Sequence, residues 1–183
     1  VTCFPFLVTV FSILRQALGL QQAPPNMLLI SLALFLTYFI MEPVFVDAYE
    51  AGLKPFLEDQ ISAEIALTQG SIPFQKFMMS RVDETTLVHF LELREIDPLG
   101  DKPAPFSVLI PSFMISEISR AFQIGFLIYL PFLIIDMVVA AVLMSMGMMM
   151  VPPAAVSLPF KLAFFAVANG WVLISDTLVR GYM

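Results

Sequence analysis

The chain has 183 residues, of which 59% are hydrophobic and only 13% charged, about half the charged share of an ordinary soluble domain. The net charge of −6 excludes nucleic acid as a partner, because phosphates demand a basic face. A single cysteine, Cys3, excludes an intrachain disulfide and a multi-cysteine metal site. The net charge is local: residues 47–102 hold eleven acids, five bases and the lone His89, whereas the four acids and four bases elsewhere cancel. Two apolar blocks therefore flank an acidic, water-soluble insert, and the composition predicts an integral membrane protein or a piece of one.

Val1 to Val10 is already apolar, with no basic stretch before it and no small-residue cleavage site, so it does not read as a signal peptide. The numbering is expected to begin inside a longer protein. Phe4 to Leu18 is an apolar run ending at Gly19, and Gln21, Gln22, Ala23, Pro24, Pro25 and Asn26 form a tight turn. Prolines cost little at a helix start. Met27 to Met41 then carries no charge, and extension to Val46 is needed to reach across a hydrocarbon core of ~30 Å. Residues 1–46 read as an N-terminal hydrophobic helical hairpin. Arg15 weakly assigns its first turn to the cytoplasm, which puts the insert on the outer side.

Residues 47–105 read as amphipathic helices: Ile61 and Ile65, then Phe74, Phe77 and Met78, then Leu87, Phe90 and Leu91 recur at three-to-four-residue spacing among charges. Asp59 or Ser62 is placed to cap one helix, Gly70 to Pro73 to break it, Asp83 with Thr85 to open the next, and Asp97, Pro98, Leu99, Gly100 and Pro103 to Pro105 to end the insert. A segment of this size is small for an independent core, so it is expected to lean on the rest of the chain or on a partner.

Residues 106–183 form the second apolar block. Phe106 to Met150 is too long for one simple span, and Val151, Pro152 and Pro153 separate it from a last run, Ala154 to Ser175. Broken helices survive at membrane depth only where protein or a water-filled cavity covers the freed backbone, so the prolines hint at an assembly or a pore. Glu117, Arg120, Asp136 and Lys161 are the charged residues of the block's apolar runs, Phe106 to Met150 and Ala154 to Ser175, and together they are neutral. Charges there are expensive unless paired. Glu117 with Lys161 and Arg120 with Asp136 are one scheme, snorkelling to the headgroups is the alternative, and the sequence does not choose.

Met144, Met146, Met148, Met149 and Met150 crowd around Gly147. This is a flexible apolar loop, suited to conforming around a moving chain or closing on itself; ordinary packing material is the plainer reading. Asn169 is placed to donate a hydrogen bond between helices, and Trp171 and Tyr182 to anchor at an interface. A single histidine excludes HExxH, and neither a G-x-S-x-G elbow nor a glycine-rich phosphate loop occurs. Catalysis is not expected.

The strings ILRQALG (13–19), APPN (23–26), AFQIGF (121–126), PFLIID (131–136), MGMMMVPPA (146–154) and LPFKL (158–162) together resemble the FliP family of flagellar type III export-gate proteins. The likeness covers nearly the whole chain in order, and its Val-Pro-Pro form is closer to the flagellar branch than to virulence-secretion relatives. The resemblance implies an all-α membrane protein whose helical hairpins flank a periplasmic helical insert and assemble into a helical ring. It implies a homo-oligomer, a pentamer, in the bacterial inner membrane at the flagellar basal body, partnered by FliQ and FliR, conducting unfolded export substrates without a cofactor. By the same likeness Met146, Met148, Met149 and Met150 form the gasket closing the pore, and Glu117 and Lys161 pair between neighbouring copies. It further implies that the apolar segments sit in an assembly largely above the bilayer plane. The chain departs from the family at Asn169, where an aspartate is usual, and matches loosely in the insert. The rival reading is an ion- or proton-coupled transporter with Glu117, Asp136 and Lys161 as a relay.

Overall fold

Long strings of Leu, Ile, Phe, Met and Ala satisfy their own backbone only as helix when water is scarce. In the computed structural model, which describes residues 1–20, 22–97 and 104–182, every regular element among the described residues is helical. In chain order these are α1 (Phe4–Ala17), α2 (Asn26–Ala48), a π-helical turn (Tyr49–Leu53), α3 (Lys54–Leu57), α4 (Ala63–Arg81), α5 (Glu84–Leu93), α6 (Phe106–Ser145), α7 (Pro153–Val167) and α8 (Gly170–Arg180). The expected end of the insert at Pro98, Leu99, Gly100 and Pro103, and Gln21 of the first turn, lie outside the described residues.

Helix ends follow local chemistry. Gly19 and Gly147 adopt left-handed backbone with φ +77° and +74°, and each closes a Schellman motif: Leu20 N–H donates to the Arg15 carbonyl after α1, and Met148 N–H to the Leu143 carbonyl after α6. Asp59 and Glu95 close α3 and α5 in the same way despite carrying side chains. Asp59 is thus a terminator, and Ser62 is the residue that caps α4, its Oγ accepting from Ile65 N–H.

Two expectations are corrected, both in α4. α4 runs unbroken through Gly70 and Pro73; the carbonyl that Pro73 leaves without its helical donor belongs to the exposed Gln69, a position open to solvent, so the lost bond is cheap. Its apolar residues do not share one buried stripe, for Met78 is buried while Ile65, Leu67 and Ile72 are exposed. Phe106 to Ser145 forms one 40-residue helix through Pro111 and Pro131, ~60 Å long, which is longer than one simple span needs. That helix and the 32 residues Asn26–Leu57 are long and apolar enough to cross a membrane, and α7 with α8, bent by 62°, makes a third candidate.

The chain divides into two compact units. One comprises Val1–Phe6 with Thr37–Arg120. Its core is Met78, Ala104, Leu109 and Phe113 with Phe77, Val82, Leu87 and Ile110 packed around, and the Phe77 and Phe113 rings meet edge-on at 5.9 Å. The π-helical turn lies directly against α4: a Cβ on Gly52 would stand 2.5 Å from the Ala66 carbonyl oxygen and 2.9 Å from the Gly70 Cα. Glycine is required at position 52 for the backbones to approach this closely, whereas a Cβ at Gly70 would make only ordinary contact, 3.4 Å from the Ala48 carbonyl oxygen.

The other unit comprises Leu7–Leu36 with Ala121–Met183. Phe132, Phe164, Phe165, Trp171 and Phe11 form a continuous run of rings with centroids 5.4 to 6.4 Å apart. Gly125 admits the Ile13 side chain and Gly170 the Phe165 ring, since a Cβ at either position would fall within 2.5 Å of it. Arg15 donates to the Asn26 side chain and so ties the end of α1 to the start of α2.

Candidate functional site

Three groupings carry the predicted residues, each within one unit. The first is built on Glu117 of α6, which is fully buried. Arg120, one turn on, donates from Nη1 to Glu117 Oε1 at 3.2 Å, and Arg81 Nε at the end of α4 stands 3.5 Å from the same oxygen. Arg120 also donates from Nη2 to the Arg81 carbonyl at 3.3 Å, satisfying an end carbonyl of α4. Beside it Ser116 Oγ accepts from Asp83 N–H at 3.0 Å and donates to the Ser112 carbonyl at 2.8 Å. The carboxylate therefore joins α6 to the α4–α5 corner, where Asp83 caps α5 by accepting from Thr85 and from the N–H and hydroxyl of Thr86. The Thr85 hydroxyl first, and then Thr86, hold the Asp83 carboxyl below the usual carboxylate range.

The second grouping lies on α6, α7 and α1. Lys161, 4% exposed, places Nζ 2.5 Å from Asp136 Oδ2 and 3.1 Å from the Ala17 carbonyl oxygen. The ammonium thus meets both a carboxylate and the negative end of α1. Ser157, one turn before Lys161 and fully buried, donates to Asp136 Oδ1 at 2.5 Å. Both oxygens of Asp136 are engaged by the same face of α7.

The third is the loop between α6 and α7. Gly147 has nothing within 4 Å of where a Cβ would sit. Met146, Met149 and Met150 are 66%, 84% and 98% exposed and Met148 43%, so the cluster is displayed rather than packed. Met144 belongs to the last turn of α6.

Each of the four block charges has a partner within its own unit: Glu117 with Arg120 and Arg81, Asp136 with Lys161. Charge compensation alone does not call for a second copy. Arg81 and Ser157 were not anticipated. Arg81 counts by sequence as an insert charge, and only the return of α4 to α6 brings it to Glu117; Ser157 four residues before Lys161 was a readable i,i+4 signal. Asn169 acts through its backbone: it sits in left-handed conformation (φ 48°) at the start of α8, makes no side-chain cap bond and is exposed. Trp171 packs on Phe165 and Phe11.

A profile of the FliP family matches residues 1–178. The chain is 51% identical to the flagellar biosynthetic protein FliP of Caulobacter vibrioides over 99% of its own length and 68% of that protein. It is 48% identical to the protein of the same description from Pectobacterium carotovorum (99% and 70%) and 46% identical to that from Bacillus subtilis (99% and 82%).

Proposed function

Because the chain belongs to the FliP family, a family of membrane-located flagellar export proteins, we propose that it is the pore-forming subunit of the flagellar type III export gate. It assembles as a ring of copies, a pentamer, with FliQ and FliR in the inner membrane, the insert facing the periplasm, and passes unfolded export substrates. The observation that carries this reading is the α6–α7 loop, where four exposed methionines surround a glycine with open space around it. Methionine side chains are unbranched, polarisable and apolar, so a ring of such loops seals against ions by excluding water and still conforms to a passing chain. The relay reading has no comparable support: Glu117 is held by two arginines and Asp136 by a lysine and a serine.

The test is Met148, Met149 and Met150 changed together to alanine in the assembled complex. The expected outcome is a leak of ions and small solutes through vesicles carrying it, with assembly intact. Vesicles that stay tight would overturn the gate reading.

A further inference from the structure

Asp136 and the methionine loop belong to one hairpin. Residues Ser157 and Lys161 of α7 clasp Asp136 of α6, and the rings of Phe132 and Phe164 meet edge-on at 6.1 Å one turn away. A groove of about 620 Å³ runs along the same hairpin, from Ile134 and Phe160 beside the clasp, past Val138 and Val142, to Met146 and Met148 at the loop. The hairpin is therefore fixed by charge-assisted hydrogen bonds at its base and open at its tip. A charged hydrogen bond in a water-poor setting is among the strongest local contacts, whereas an unfilled apolar groove forfeits the dispersion contacts that would hold its walls.

We propose that Asp136, Ser157 and Lys161 form the hinge that positions the methionine loop: they fix the base of the α6–α7 hairpin, and the groove gives its tip room to be displaced without unfolding. The role rests on the reading of that loop as the gate. Asp136 is a positioning residue, acting on the loop through two helices rather than by touching what passes.

The experiment uses the assembled complex in vesicles, with Cys3→Ser and spin labels on Ser145→Cys and Ala155→Cys, labelled copies being diluted into unlabelled ones. A reference pair, Ala163→Cys with Val172→Cys, spans the α7–α8 bend. Asp136→Asn, which removes the charge, and the milder Ser157→Ala are expected to broaden the tip distance distribution at least about twofold, leave the reference pair unchanged and raise solute leak. An unchanged tip, or equal broadening of both pairs as in general loosening, overturns the hinge. The two readings separate cleanly. If the methionine-to-alanine variant leaks while the clasp variants leave the tip unmoved, the hinge fails and the gate stands. If the clasp variants loosen the tip while the methionine variant stays tight, the gate fails and the hinge stands.

Discussion

Asp83 lies at the corner where α4 ends and α5 begins, and its carboxylate is what holds the first turn of α5. The folded carboxyl titrates below its ordinary value because the Thr85 hydroxyl and then the Thr86 groups bond its ionised form. Its contribution is therefore complete above the unfolded carboxylate pKa and is lost as pH falls through the folded one. Asp83→Asn keeps the cap and removes that pH dependence, while Asp83→Ala frays the turn at all pH. Backbone chemical shifts of Thr85 and Thr86 followed through the acid range check both. At Glu117 the direction is set by burial: Glu117→Gln leaves two guanidinium groups facing a neutral amide, and the expected loss is about 3 kcal/mol. The midpoint of denaturant unfolding in detergent measures it. Both residues were marked by the sequence. Glu117 stood out as a charge in an apolar run and Asp83 as a cap, but the partners of Glu117 were not legible, because Arg81 is 36 positions away and reaches it only through the fold.

Among elements, the π-helical turn and α4 depend on each other. Gly52→Ala drives a methyl group into the Ala66 carbonyl and the Gly70 Cα, both backbone, so no rotamer change relieves it. A destabilisation of about 1–3 kcal/mol is expected, read as a lowered unfolding midpoint; a change within error would mean that these backbones separate freely. Helix existence was legible throughout, since apolar strings of this length have few alternatives. Breaks were less so. Gly70 to Pro73 reads as a break, yet α4 continues through it, as α6 continues through Pro111 and Pro131, because one missing N–H costs less than ending a helix whose neighbours are already in register. The Gly52–Gly70 approach gave no motif, since the glycines lie 18 positions apart on different elements.

At the scale of the molecule, the pull toward other surfaces comes from apolar area, not from unpaired charge. Phe35, Leu127, Met137 and Val172 are 64% to 75% exposed along the helices that are able to cross a membrane, and hydrocarbon or protein covers such faces. We propose that Glu117 and Lys161 of neighbouring copies approach each other in the assembly, beside the partners that each holds in its own chain. Glu117→Cys with Lys161→Cys, in a Cys3→Ser background, is expected to give crosslinked ladders in the purified complex; product confined to single chains would remove that pairing. The sequence by itself determined that this chain is helical, that it belongs with membranes, which residues bear charge in its apolar parts and where the methionines gather. These are properties of composition and local spacing, on which neighbouring residues act directly. The tertiary structure decided which charge meets which, that Arg81 and Ser157 complete the two centres, and that a clasp and a groove share the α6–α7 hairpin. The pairings of Glu117 with Arg81 and of Asp136 with Ser157 and Lys161 join positions 21 to 36 residues apart, and nothing short of the folded path of the chain brings them together.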